Sequence, residues 1–236
     1  MQYSVIIPLK DEEENIHSLL SEVRVVMDKL NKDWELLCID DGSTDNTLAE
    51  LQALSKELLQ LRIITFDCNY GQTSAFDAGF RHARGEFVIT LDGDGQNDPA
   101  DIPLMLEAMD DSDLVCGRRQ SRRDPIWKKG ISLLANTIRS RVCKDGMHDT
   151  GCSLKIYRRS CLEKIKLYHG LHRFLPALFT IEGFRTREVP VHHRARQRGK
   201  TKYHFFNRLF GPICDLFAVY WMRKKHLRYR IEREWP

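Results

Sequence analysis

The 236-residue chain is 42% hydrophobic and 30% charged, with 14 Gly and 8 Pro, which excludes a disordered tail, a collagen-like fibre and a coiled coil. Its formal net charge of +4 conceals an asymmetry: residues 118–144 hold nine Lys/Arg against Asp124 alone, and residues 194–230 hold eleven against Asp215 alone. The remainder carries 17 basic against 31 acidic residues, so the chain reads as an acidic body with two basic stretches suited to an anionic partner: nucleic acid, a lipid surface or a phosphorylated ligand.

In chain order, residues 3–8 form a β-branched run, and residues 11–30 place Ile16, Leu19, Leu20, Val23, Met27 and Leu30 at helical spacing. A strand over 34–39 leads into the turn-rich Asp40-Asp41-Gly42-Ser43-Thr44-Asp45, then a helix carrying Leu48, Leu51, Leu54 and Leu58. Strands are predicted over 61–66 and 86–91 and helices over 71–83 and 99–109, Pro99 suiting a first turn. A shorter strand over 114–116 ends at Gly117-Arg118, a basic helix is predicted over 126–142, and strands follow over 153–157 and 188–192. From Pro212 a last helix places Ile213, Leu216, Phe217 and Tyr220 on one side, with Arg223, Lys224 and Lys225 after them. Strands alternating with helices imply an α/β fold with a mostly parallel sheet flanked by helices, ligands binding beyond the carboxyl ends of the strands.

No run is long enough to span a bilayer, since Gly211, Pro212 and Asp215 interrupt residues 209–222. The start, MQYSVIIPLKDEEEN, lacks a basic n-region and a long apolar stretch, so no signal peptide is expected. Seven cysteines without a C-x-x-C pair read as reduced thiols of a cytoplasmic protein.

Three of the five predicted strand ends carry carboxylates, an acidic floor suited to a metal, ribose hydroxyls or base N–H groups. The central feature is Leu91-Asp92-Gly93-Asp94-Gly95-Gln96-Asn97 after an apolar strand. Two carboxylates one residue apart can aim at one hard cation, Mg²⁺ or Mn²⁺, with the amide oxygen of Gln96 joining them. An ordinary Asp/Gly/Asn turn is the alternative. An EF-hand is excluded because Asn97 and Pro103 stand where Gly and Glu are required, and no dinucleotide or P-loop fingerprint is present.

Residues Val5-Ile6-Ile7-Pro8-Leu9-Lys10-Asp11-Glu12, Ile39-Asp40-Asp41-Gly42-Ser43, Asn69-Tyr70-Gly71 and Asp92-Gly93-Asp94 occur in an order and spacing that resembles the family 2 inverting glycosyltransferases of GT-A fold. The resemblance covers nearly the whole chain. It implies that Pro8, Glu12, Asp40 and Asp41 border the nucleoside of a UDP- or GDP-linked sugar, Asp92 also contributing, while Asp92, Asp94 and Gln96 hold the metal on its diphosphate. Lys10 stands where the family commonly has an aromatic residue near the base. Gly117-Arg118-Arg119, the stretch Asp149 to Lys155, and Val189-Pro190-Val191-His192-His193 are similar to the polyprenyl-phosphate branch, of which dolichol-phosphate mannose synthase is representative. Many members of that branch add transmembrane helices beyond this point, which this sequence does not show. The resemblance implies cell-envelope glycan synthesis.

Chemistry points independently to a phosphate acceptor. A hydroxyl acceptor needs a carboxylate base, for which Asp149 and Glu182 are the candidates. A phosphomonoester, with a second pKa of about 6, needs cations instead. Arg118, just past the predicted strand end, is expected to be catalytic with Asp94 and Asp149, and to hold the acceptor phosphate with Lys128 and Lys129. Arg196 and Lys202 lie in a Gly-containing basic segment that can close over the diphosphate as a lid. Two alternatives compete: transfer to a hydroxyl of a lipid or glycan, and a basic nucleic-acid-binding module, which leaves the acidic strand ends unexplained. The expected organisation is a catalytic domain over 1–207 and a basic amphipathic extension over 208–236, peripheral on the cytoplasmic face of a membrane.

Overall fold

The computed structural model describes residues 1–120, 139–195, 210–227, 229, 232, 233 and 235. Strands β1 (Tyr3–Leu9), β2 (Trp34–Asp40), β3 (Leu61–Thr65), β4 (Phe87–Thr90), β5 (Leu114–Arg119), β6 (Lys155–Arg158) and β7 (Thr186–Val191) form one sheet in the order β3-β2-β1-β4-β6-β5-β7. Every pairing is parallel except those of β6, which runs antiparallel to both β4 and β5. The carboxyl ends of β1, β2, β4 and β5 therefore open on one edge, and β6 begins there.

All seven residues of β1 and of β2 are buried, as expected for strands covered on both faces. Val5, Ile7, Leu36 and Cys38 face helix α1 (Ile16–Lys29), whose Ile16, Leu19, Leu20, Val23 and Met27 complete that layer. Ile6, Leu37 and Ile39 face the other way, towards Ala75 and Phe76 of α3 (Gln72–His82) and Leu175 and Phe179 of α6 (Leu175–Ile181). Helix α2 (Thr47–Leu54) follows β2; a 3₁₀ turn at Pro99–Asp101, capped by the Asp98 carboxylate on the Ala100 N–H, leads into α4 (Ile102–Glu107); and α5 (Arg159–Leu162) follows β6.

Two boundaries differ from expectation for identifiable reasons. Helix α1 starts at Ile16, not near residue 11, because the intervening N–H groups are used elsewhere: Asp11 donates to Ser43 Oγ (2.9 Å) and Glu12 to Thr47 Oγ1 (2.8 Å). The Asp11 carboxylate in turn accepts from the Thr44 N–H (2.7 Å), so the loops after β1 and β2 interlock. Strand β5 continues through Arg119, pairing Arg118 with Pro190 and Arg119 with Val191. Arg118 is thus inside a strand, not beyond its end.

Helix α7 (Phe210–Lys225) packs with buried Val219 and half-buried Leu216 and Met222 against Cys143, Leu171, Phe174, Leu178 and Ile181. Ile213, Phe217, Tyr220 and Trp221 stay exposed. The apolar side expected from spacing is thereby split: Leu216 turns inward, whereas Ile213, Phe217 and Tyr220 turn outward. Residues 139–143 are helical, while the rest of the helix predicted over 126–142 lies outside the described residues. No described helix is long and apolar enough to cross a membrane.

Candidate active site

The acidic floor forms where the sheet's loops meet. Asp40, 1% exposed, accepts from the Ser43 N–H (3.1 Å) and so shapes the turn at Gly42. That turn requires glycine: φ is +65°, and a Cβ would sit 2.5 Å from the Cys68 carbonyl carbon. Asp41 accepts from the N–H groups of Tyr70 (2.7 Å) and Gly71 (2.9 Å) and from the Asn69 side chain (3.1 Å). Burial raises its pKa, opposed by the two backbone N–H groups and Lys10 and assisted by Asp40. Sequence reasoning aimed both carboxylates at a nucleoside; in the fold both also organise backbone. Lys10 reaches the Gly42 carbonyl (2.5 Å) and Asp11 (3.4 Å), and the Glu12 carboxylate accepts from Asn15 (2.7 Å). Pro8 lies buried in β1, two residues before Lys10.

At the end of β4, Asp92 is gripped from two sides. Gln72 Nε2 donates to Oδ1 (2.7 Å), Ser153 Oγ donates to Oδ2, and the Asp92 N–H donates to Asn97 Oδ1 (3.1 Å). Burial raises the Asp92 pKa; the Ser153 hydrogen bond opposes this, the nearby Asp94 charge adds to it, and Lys155 and Arg119 lower it. Asp94 is half-buried, its Oδ1 accepting from the Gln96 N–H (3.1 Å). Two adjoining carboxylates whose charges oppose each other fit a divalent cation, and oxygen-only donors fit Mg²⁺ or Mn²⁺. Among the described residues no three His, Cys, Asp or Glu side chains form a ready metal cage. Gln96 is partly committed elsewhere, its Nε2 donating to the Arg194 carbonyl (3.3 Å) while the Arg194 N–H donates back to the Gln96 carbonyl (2.9 Å). Arg194 is itself pinned by Glu22 (2.5 Å) and Asp98 (2.8 Å).

Arg119 is a cation beside this floor, its charge lowering the Asp92 pKa along with that of Lys155, whereas sequence reasoning favoured its neighbour Arg118. Neighbouring strand residues face opposite ways, so Arg118 is exposed while Arg119 turns to Asp149. They form a bidentate pair, Nε to Oδ2 at 2.7 Å and Nη2 to Oδ1 at 2.8 Å. Burial works against the Arg119 charge, yet the hydrogen bond and charge of Asp149, with smaller contributions that include Asp92, outweigh it and its pKa rises. The signal that could have selected Arg119 was strand length: continuing β5 by the alternation of Val115 and Gly117 puts residue 119 on the Asp92 side. Buried Lys155, at the start of β6, donates to the Cys152 carbonyl, and its charge acts on Asp92. Gln72, Ser153 and Asn97 were also missed, being single polar residues without a motif.

Glu182, the second base candidate, ends α6 at the opposite edge of the sheet, 3.9 Å from His226. His192 is exposed and bonds Asp101 (2.8 Å), and the His193 backbone bridges to Asn97. Adjacent histidines thus serve separate structural contacts. Lys128, Lys129, Arg196 and Lys202 lie outside the described residues.

An α/β sheet with an Asp-x-Asp loop at the end of a central strand and one antiparallel strand beside it is the GT-A arrangement. Solved structures of that fold align with it. Glucosyl-3-phosphoglycerate synthase from Mycobacterium tuberculosis, in complex with Mn²⁺, uridine diphosphate and phosphoglyceric acid, gives a TM-score of 0.70 at 18% identity, covering 96% of this chain and 80% of that one. TarS of S. aureus with UDP-GlcNAc gives 0.64 at 21%, covering 94% and 67%. Residues 4–166 match the model of glycosyl transferase family 2, and the chain belongs to that family. It is 40% identical over 232 residues to a dodecaprenyl-phosphate galacturonate synthase of Rhizobium johnstonii, covering 95% of this chain and 68% of that protein. It is 38% identical over 216 residues to an undecaprenyl-phosphate 4-deoxy-4-formamido-L-arabinose transferase of Salmonella choleraesuis, covering 90% and 65%. The chain thus spans about two thirds of the length of these relatives.

Proposed function

We propose that the protein transfers a sugar, with inversion, from a UDP- or GDP-linked donor to a polyprenyl phosphate, in cell-envelope glycan synthesis. The carrying observation is the fixed cation beside the acidic floor: Arg119, held by Asp149 and electrostatically adjacent to Asp92. The names of the two relatives support the same acceptor class. In this reading an oxygen of the acceptor phosphate attacks the anomeric carbon as the bond from that carbon to the diphosphate breaks. The nucleoside diphosphate departs with the bonding electron pair. No base is needed, because the acceptor is already ionised; Arg119 orients it, Asp149 orients Arg119, and Arg118 lies one residue away on the open face of β5.

Pro8, Glu12, Asp40 and Asp41 border the nucleoside, Asp41 mainly by fixing the turn at Asn69–Gly71. Asp92 and Asp94, with the oxygen of Gln96, are the residues that would hold Mg²⁺ or Mn²⁺, which when bound neutralises charge on the leaving diphosphate. Lys128, Lys129, Arg196 and Lys202 remain candidate phosphate ligands on their sequence pattern. We further assign the exposed face of α7, Ile213, Phe217, Tyr220 and Trp221, with the exposed Lys224 and Lys225 after them, to peripheral contact with an anionic bilayer, where a polyprenyl phosphate presents its head group. The seven free thiols support a reducing, cytoplasmic location.

The test is nucleoside diphosphate release from a panel of UDP-, GDP- and CDP-sugars with Mn²⁺, with and without polyprenyl phosphate. Release should require the lipid phosphate, and Asp94→Ala should lose it by orders of magnitude while remaining folded. Full activity of Asp94→Ala in excess chelator would refute the assignment.

A further inference from the structure

Four consecutive residues at the start of α3 tie together parts of the site that come from different strands. Tyr70 and Gly71 give their N–H groups to Asp41 beyond β2, and Gln72 turns its side-chain amide to Asp92 beyond β4. Thr73 Oγ1 accepts from the Gly170 N–H (3.0 Å) and lies 2.6 Å from His172 Nδ1. A hydroxyl has one proton and two acceptor positions, so Thr73 can hold both the Gly170 N–H and the His172 ring, the tautomer of His172 setting the direction of the second contact. Burial, with Arg173 next, lowers the His172 pKa to about 3, in keeping with a fixed neutral ring.

Asp92 is where this brace meets the chemistry. A carboxylate has about four acceptor positions. Gln72 fills one on Oδ1 and Ser153 one on Oδ2, from separate elements, which fixes rotation of the carboxylate. The residue type matters. A lysine at 72 would cancel the charge that a cation requires, and a glutamate would repel Asp92. An amide orients the carboxylate and leaves its charge in place.

We propose that Gln72 is a positioning residue that, with Ser153, locks the Asp92 carboxylate in the orientation that receives the donor's diphosphate and its cation. This rests on the nucleotide-sugar reading above. Loss of such an outer partner costs metal sites about 10–100-fold in affinity, and a similar effect is expected here.

The experiment uses Gln72→Met, close in volume but without a donor, Gln72→Asn, which keeps the amide on a shorter arm, and Ser153→Ala. Calorimetry measures UDP and GDP binding with Mn²⁺ and without metal. Carbon-13 carboxyl NMR of aspartate-labelled, metal-free protein follows the Asp92 signal, assigned with Asp92→Asn. Expected are a displaced Asp92 resonance in Gln72→Met, Mn²⁺-dependent nucleotide affinity reduced by about tenfold, metal-free binding unchanged, and a smaller loss in Gln72→Asn. An Asp92 resonance unmoved by Gln72→Met and Gln72→Asn, or undiminished Mn²⁺-dependent affinity in both, overturns the proposal. Equal losses with and without metal also overturn it, since they mark a general structural effect. Wild type that binds no nucleoside diphosphate refutes the functional reading instead, and the metal-free resonance separates that failure from failure of the lock.

Discussion

Asp149→Asn separates the two chemistries open to this site. In the fold the Asp149 carboxylate accepts two parallel hydrogen bonds from Arg119, and both side chains are only about one-seventh exposed, at 14% and 13%. Hydrogen bonds to charged groups contribute about 1.5–3 kcal/mol each, and the asparagine keeps one acceptor of the two. Loss of the other should therefore reduce turnover by about 10–150-fold, since each 1.4 kcal/mol is about tenfold. If Asp149 were instead the base for a hydroxyl acceptor, turnover should fall by a further 10²–10⁴, roughly the contribution of general-base catalysis, and the acidic limb of the pH–rate profile should vanish. The assay is nucleoside diphosphate release over pH 5–9 with a polyprenyl phosphate and, separately, with the corresponding polyprenol as acceptor, for wild type, Asp149→Asn and Arg119→Lys. Arg119→Lys loses the planar fork and should raise the acceptor KM more than the donor KM. A pH-independent collapse of Asp149→Asn to background, with an unchanged acceptor KM in Arg119→Lys, would refute the phosphate-orienting role of the pair.

Asp41→Ala orphans the N–H groups of Tyr70 and Gly71, at about 1–3 kcal/mol each, so the melting temperature and nucleoside diphosphate affinity should fall together; an unchanged melting temperature would show that the turn finds other acceptors. His172 has a folded pKa of about 3, below its ordinary 6.5, so between these values the unfolded chain binds the extra proton and stability falls as pH falls, by up to about 1.4 kcal/mol per pH unit. Urea unfolding at pH 4, 5 and 6 should show a shallower dependence in His172→Gln, and identical slopes would contradict the buried neutral ring. For α7, wild type should float with anionic vesicles at low salt, with roughly 1 kcal/mol per basic residue near the surface, and Phe217→Ser with Trp221→Ser should not; equal flotation of both proteins would remove that face from the membrane contact.

The strands and helices of the first half were legible because their signals are local. The apolar runs of β1 and β2 and the 3.6-residue spacing of α1 reflect burial that each element needs wherever it packs. The acidic floor was legible for the same reason: in a parallel sheet, strand direction alone carries Asp40, Asp41 and Asp92 to one edge. The reversal of β6 was not legible, because antiparallel pairing between β4 and β5 depends on partners more than thirty residues away in sequence.

The family, the α/β class and the neighbourhood of the site were legible before any contact was known, since these rest on residue types at fixed spacing. Tertiary structure decided which side chains act as partners. One further residue of β5 turned Arg119, not Arg118, towards Asp149, because a strand alternates faces at every step. Packing of α7 through Leu216 and Val219 left Phe217 and Trp221 outside, although hydrophobicity alone ranks all four as core. Gln72 met Asp92 only when the turn at Asn69–Gly71 closed on Asp41. Hydrogen bonds span about 3 Å whatever the separation along the chain, and no local pattern encodes a contact between residues 72 and 92.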